Sequence, residues 1–382
     1  HVGACCEPTL VAQKGDTMIL HLYFARRFTI AFLFLIGVFY ALIVLVDLIE
    51  QTRKFSDFDV PFRDRLGLTF LNAPETINQI LPLIMILATV VLFIGLARTS
   101  ELVVTRAAGR SAMRSLISPV SVALIIGGLA VSILNPIVAA TSKRYAVLSE
   151  SYRSGGVSAL SISSEGLWLR QGDENGQTVI RAARSNADGS VLYDVTFIAY
   201  APNSGPIRRI EAGSAALGDG EWSLRNAKVW PLVSGLNPEA NAVVHDLLLL
   251  PSTLTLDSIR ESLGKPSSVS IWDMRQFIAQ LEQAGFSARR HKVWFQAEMA
   301  RPFFLMAMVL VAAAFTMRHT RFGGTGTAVL SAVLLGFALY FIRSFAQILG
   351  ENGQIPILLA AWAPPATAIL LAIGLLLHEE DG

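Results

Sequence analysis

ARTSELVVTRAAGRSAMR, residues 97–114, decides how the rest of the chain is read. Uncharged runs flank it, Thr76–Ala97 before and Ser115–Ser142 after. Each is long enough to cross a bilayer, since a spanning helix needs roughly 20 apolar residues. The stretch between them is polar and basic, with Arg98, Arg106, Arg110 and Arg114 against the single acid Glu101. Short loops so rich in arginine stay on the cytoplasmic side. Leu102, Val103, Ala107 and Ala108 fall near helical spacing and Gly109 is placed to end the helix, so a coupling helix is expected over about 98–109. A short amphipathic helix held between two spans is a place where another protein can push. The alternative is a re-entry loop carrying only topogenic charge.

Composition agrees with a membrane protein. Of the 382 residues 53% are hydrophobic and only 16% charged, against about a quarter charged in soluble domains. Cys5 and Cys6 are adjacent and lie before Met18, which leaves the remainder without a disulfide framework or a thiolate metal site. Residues 1–17 show no periodicity and are read as a non-native or disordered extension. Phe28–Val46 has no small-residue cleavage site before Asp47, so it is read as a first span and not as a cleaved signal.

Six uncharged runs are predicted to span: Phe28–Val46, Thr76–Ala97, Ser115–Ser142, Pro302–Met317, Phe322–Ile342 and Asn352–Leu377. The fourth is short, and Arg301 at its edge is expected to snorkel to the interface. Arg26 and Arg27 precede the first span, and Arg318 and Arg321 separate the fourth from the fifth. With the basic 97–114 loop, these charges predict both termini in the cytoplasm.

Residues 141–270 change texture. Alternating runs such as Gly166-Leu167-Trp168-Leu169-Arg170 and Val191-Leu192-Tyr193-Asp194-Val195-Thr196-Phe197 are separated by turn signals such as Asn186-Ala187-Asp188-Gly189. Many short strands at this spacing predict an all-β sandwich or roll inserted outside the cytoplasm. Its 12 basic and 13 acidic residues nearly cancel, so bulk charge does not equip it to hold a polyanion. Ile271–Gly285 is predicted to be an amphipathic helix with Trp272, Phe277 and Leu281 on one face. The domains are therefore drawn as 18–140 with spans one to three, 141–270, and 271–382 with the connecting helix and spans four to six.

No catalytic constellation emerges. Gly323-Gly324-Thr325-Gly326-Thr327 lacks the lysine of a phosphate loop, and neither a zinc-protease helix nor a nucleophile elbow occurs. The six histidines are scattered, so no metal site is predicted. The chain is read as a non-enzyme. What remains is charge at membrane boundaries, where ionisable groups are costly and are usually kept for a partner or a pathway. Asp47 and Glu50 close the first span, Arg53 and Lys54 follow, and Arg343 stands at the outer end of the fifth. For Arg53 and Lys54 interfacial snorkelling is the competing reading.

These pieces resemble a family. Six spans split three and three around an outward β domain, with Ser100-Glu101-Leu102-Val103-Val104-Thr105-Arg106-Ala107-Ala108-Gly109 between spans two and three, resemble the lipopolysaccharide-export permeases of the LptF/LptG family, the LptG branch more than the LptF. Glu165-Gly166-Leu167-Trp168, Ser287-Ala288-Arg289-Arg290-His291, Arg318-x-x-Arg321-x-Gly323-Gly324 and Leu359-Ala360-Ala361-Trp362-Ala363-Pro364 fit as well. Thr105 stands where relatives usually carry methionine.

The resemblance implies a fold of six transmembrane helices around a periplasmic β-jellyroll-like domain in the bacterial inner membrane. It also implies a subunit of an ATP-driven transporter that extracts lipopolysaccharide and passes it to a periplasmic bridge. The partners would be a cytoplasmic LptB-type ATPase dimer, a paralogous LptF-type permease and an LptC/LptA-type bridge protein. ATP and magnesium would reside in the ATPase, and this chain would bind no cofactor. Ser100, Glu101, Leu102, Val103, Arg106, Ala107 and Gly109 would couple to the ATPase. Asp47, Glu50, Arg53, Lys54 and Arg343 would form the lipopolysaccharide site or gate. An LptF-type subunit, or an ABC-type mechanotransmission or lipoprotein-release subunit, stands as the alternative.

Overall fold

The computed structural model describes residues 10–56, 58, 60–101, 104, 112–154, 160–163, 166–173, 176–186, 189–201, 205–218, 220–232, 235, 237–252, 254–255, 265–283, 286–317 and 325–381. The chain forms two compact units, one of residues 1–56, 61–138 and 293–382, the other of 57–60 and 139–292.

The first unit is helical. It holds α1 (Leu10–Lys54), α2 (Phe62–Arg98), α3 (Ala112–Leu129), a π-helical turn (Ala130–Leu134) and the first residues of α4 (Asn135–Ser154), which continues into the second unit, then α6 (Arg289–Met299) from residue 293 on, α7 (Arg301–Thr316), α8 (Thr325–Glu351) and α9 (Ile357–Asp381). Among the described residues five continuous helical stretches are long and apolar enough to cross a bilayer, six if the pair α6–α7, bent by 50°, is one broken span. The chain is thus a multi-pass membrane protein whose candidate spans overlap the predicted runs, the fifth extending to Glu351 and the sixth starting at Ile357. Helix α1 starts at Leu10, inside the segment read as a non-native or disordered extension. An established helix extends by one hydrogen bond per residue fixed, far more easily than it nucleates.

Packing explains the order of the helices. Helix α7 is buried almost all round, from Phe304 to Ala314, and α2, α3, α8 and α9 pack against it. A helix apolar on every side belongs at the centre of a bundle. It is approached closely at Gly127 of α3, where an added Cβ would stand 2.5 Å from the Pro302 Cα. Small residues let membrane helices meet backbone to backbone in this way. Pro302 also accounts for the bend between α6 and α7. It cannot donate to the carbonyl of Glu298 four residues earlier, so the helix breaks and restarts. Pro136 likewise follows the π turn, and such insertions accommodate a lost backbone bond.

Helix α1 is held by a narrow stripe. Phe24, Phe28 and Phe32, one turn apart, are buried at one end, while Ile43, Asp47 and Gln51 continue the stripe at the other. Its remaining faces expose Ile30, Leu33, Phe34, Leu42 and Leu45.

Among its described residues the second unit holds an antiparallel sheet of seven strands: β1 (Leu160–Ser163), β2 (Gly166–Asp173), β3 (Gly176–Ser185), β4 (Val191–Tyr200), β5 (Pro206–Leu217), β6 (Glu221–Pro231) and β7 (Val243–Pro251). Neighbours in the sheet are neighbours in sequence, β1 through β7. The inserted β domain is therefore present as predicted, and its connectivity is a meander and not the crossovers of paired Greek keys. It begins later than residue 141, because α4 stays helical to Ser154.

Alternation places Leu167, Leu169, Ile180, Phe197, Ile210, Trp222 and Leu224 in one core. The period slips once in β4, between Leu192 and Val195, and once in β6, between Leu224 and Ala227. At each slip one residue adopts a left-handed backbone, Asp194 with φ 53° and Asn226 with φ 53°. Both flank Gly213 on the intervening strand, which the register passes over on each side. Aspartate and asparagine tolerate this conformation better than most side chains. Helix α5 (Met274–Gln283) covers the core with Leu281 and Phe277. Burying Leu281 contributes about 1.5–3 kcal/mol. Trp272 precedes the helix and is exposed, so it does not share that face.

Candidate functional site

The first predicted site opens at the turn after α2. The Thr99 amide donates to the Gly95 carbonyl and the Ser100 amide to Ala97, each at 3.2 Å, closing the helix. Ser100 then takes a left-handed conformation, φ 59°, which redirects the chain. A new helical turn begins at once, with the Val104 amide donating to the Ser100 carbonyl at 3.2 Å. The first side chain of that turn is Glu101.

Glu101 is clasped by α1. Arg27 Nη1 donates to both carboxylate oxygens at 3.0 Å, and the Tyr23 hydroxyl donates to Oε2 at 2.9 Å. Tyr23 in turn accepts from Arg27 at 2.7 Å. Partial burial works against the charged carboxylate, but hydrogen bonds from Thr99, Arg27 and Tyr23 outweigh it and hold Glu101 below the usual glutamate range. It is ionised at neutral pH. Leu102, Val103, Arg106, Ala107 and Gly109 lie outside the described residues.

The charges at the other end of α1 separate into two kinds. Asp47 is buried and its Oδ1 accepts a hydrogen bond from Asn72 at 2.8 Å, so it ties α1 to α2. Glu50, Arg53 and Lys54 are exposed on the last turns of the same helix. The two cations also face the negative end of the helix dipole, a favourable position whatever else they bind. Lys54 Nζ lies 5.7 Å over the Phe55 ring.

Arg343 belongs to a different group. It sits within α8, two turns before its end, and its guanidinium lies 4.9 Å over the Phe304 ring. Nearby, Arg301 is buried and does not snorkel. Its Nη2 meets Glu298 Oε1 at 2.5 Å and its Nη1 donates to Asn78 Oδ1 of α2. This network pins both sides of the α6–α7 bend to α2. Sequence reading missed it because Asn78 is remote in sequence and Glu298 sits before a helix break. The only signal was Glu298 and Arg301 standing three apart beside an otherwise uncharged span.

Two spans are less enclosed than the others. Exposed apolar residues run along α1 and, on α8, include Leu330, Leu334, Phe337, Phe341 and Phe345. Helix α1 packs on α2 and α3, and α8 on α2, α7 and α9; among the described residues α1 and α8 do not pack extensively on each other. Among the described residues no group of three or more histidine, cysteine, aspartate or glutamate side chains is placed to hold a metal.

Residues 22–378 match the family described as "Lipopolysaccharide export system permease LptF/LptG". The chain is 22% identical over 346 residues to the lipopolysaccharide export system permease protein LptG of Haemophilus influenzae, covering 88% of this chain and 92% of that protein. It is 22% identical over 342 residues to the protein of the same name in Escherichia coli K12, covering 88% and 91%.

Proposed function

Because this chain belongs to the LptF/LptG family of lipopolysaccharide export system permeases, we propose that it is the LptG-type subunit of an ATP-driven transporter in the bacterial inner membrane. It takes lipopolysaccharide from the outer leaflet and passes it to a periplasmic bridge protein. Both termini face the cytoplasm, the β domain faces the periplasm, and hydrolysis occurs in a separate LptB-type ATPase dimer that docks on the segment opened by Ser100 and Glu101.

The observation that carries the reading is the pair of exposed apolar faces on α1 and α8. In a permease that works with a paralogue, these are the helices left to line lateral gates. Acyl chains entering there exchange one apolar surrounding for another, so the gate discriminates through the polar headgroup. The exposed Arg53 and Lys54 at the outer end of α1 suit the phosphates of such a headgroup.

Purification of the tagged chain from gently solubilised membranes tests this. The expected result is an ATPase subunit together with one LptF-type permease. Recovery with an LptG-type permease instead would make this chain the LptF-type partner, and recovery without an ATPase would defeat the transporter reading. The headgroup role is tested separately. Replacing both Arg53 and Lys54 with glutamate is expected to lower photocrosslinking of lipopolysaccharide from α1 by about tenfold or more, since each phosphate contact by a cation contributes about 1.5–3 kcal/mol. Unchanged crosslinking would leave these residues as interfacial anchors.

A further inference from the structure

We propose that Tyr23 and Arg27 are positioning residues that fasten the ATPase-docking segment to the first gate helix, so that movement of the segment is delivered to α1 directly. The inference rests on the transporter reading above. Three features of the geometry carry it.

The first is that the contact is a closed network and not a single ion pair. Arg27 reaches both oxygens of Glu101 and the Tyr23 hydroxyl, and Tyr23 completes the ring by donating to Glu101. Bidentate and charge-assisted bonds fix orientation as well as distance. The second is that Glu101 is the first residue beyond a left-handed hinge at Ser100, so α2 does not rigidly dictate its position. The third is that Tyr23 and Arg27 occupy the same turns of α1 as Phe24 and Phe28, which are fully buried. A pull on Arg27 therefore acts on a part of α1 locked to its neighbours, and the helix responds as a body and not by fraying.

The network is about one-third exposed, with side chains of Arg27 and Glu101 at 33% and 34% accessibility. Pairs this exposed contribute little to stability. Its effect is geometric: it selects which helix moves when the segment is displaced.

The test compares Arg27→Ala and Arg27→Lys with wild type, each purified as the full complex and reconstituted in liposomes holding lipopolysaccharide. Three quantities are read: ATPase copurification, ATP hydrolysis, and lipopolysaccharide released per ATP hydrolysed. Arg27→Ala is expected to keep copurification, hydrolysis and thermal stability while lowering release per ATP by about tenfold, in the range of ordinary coupling energies. Arg27→Lys, which keeps the charge and one bond to the carboxylate, is expected to recover most of the loss. Wild-type release per ATP in Arg27→Ala would overturn the proposal, as would a loss that appears only together with lost copurification or a lowered unfolding temperature. Failure of the transporter reading is distinguishable, because wild type itself would then neither retain an ATPase nor release lipopolysaccharide.

Discussion

Replacing Arg301 with alanine is expected to destabilise the helical unit by about 3–5 kcal/mol, the usual result of stranding a buried charge. Arg301 is 8% exposed and Glu298 1%, so neither is easily rescued by water when its partner is removed. Removing Arg301 takes away the Nη2 contact to Glu298 and the Nη1 contact to Asn78 together. It also releases the tie between α2 and the bend where Pro302 breaks the helix. The natural control is the pair Glu298→Leu with Arg301→Met, which keeps the volume and removes both charges. Buried ion pairs replaced in this way by apolar groups are often neutral in stability. The double variant is therefore expected to be more stable than Arg301→Ala, and the non-additivity of a full mutant cycle measures the coupling. Thermal unfolding of the purified protein in detergent is the measurement. An Arg301→Ala variant as stable as wild type would mean that Arg343, whose charge interacts with Arg301 and Glu298, takes over the compensation of Glu298.

That cluster marks the boundary of what the sequence makes legible. The spans are visible because a bilayer demands long uncharged helices, and each predicted run overlaps a helical stretch long and apolar enough to cross, the fourth only as the bent pair α6–α7. The inserted sheet is visible for a similar reason, since Leu167 and Leu169 face inward while Arg170 faces out, as period two requires. Where a local event breaks the period, legibility ends. Asp194 and Asn226 each add a left-handed residue, and the inward face shifts by one after them. Partnerships across the chain are less legible still. Glu101 stands in a recognisable motif, but nothing local shows that Tyr23 and Arg27 hold it, because 74 residues separate Arg27 from Glu101. Arg301 looks like an interfacial arginine until the bend between α6 and α7 turns it toward Asn78. The sequence pattern records which faces are buried, and hydrogen bonds between distant helices leave no such periodic trace.

In the β domain the largest expected effect is at Trp222, whose replacement by alanine should cost about 3–5 kcal/mol, as large-to-small changes of buried aromatics do. Trp222 is fully buried and stands opposite Leu217 on β5 and Leu250 on β7, so it fills the sheet's core near the β5–β6 turn. Its ring meets Phe197 edge to face with centroids 6.0 Å apart, and its Nε1 donates to Gln171 Oε1 at 3.2 Å. The two contributions can be separated. Trp222→Phe keeps most of the apolar volume and loses the hydrogen bond, but Gln171 Oε1 still accepts from Ser252 at 3.1 Å. Its cost should therefore be nearer 1 kcal/mol, roughly that of one neutral hydrogen bond. Because the sheet core and the helical core are separate clusters, the loss should be confined to the domain that contains Trp222. Limited proteolysis of the full-length variant in detergent reads this directly. Cleavage within 160–251 should accelerate in Trp222→Ala, with the helical unit cut no faster than in wild type. Equal acceleration in both units would mean that they unfold as one cooperative body, and that the sheet contributes to holding the spans together.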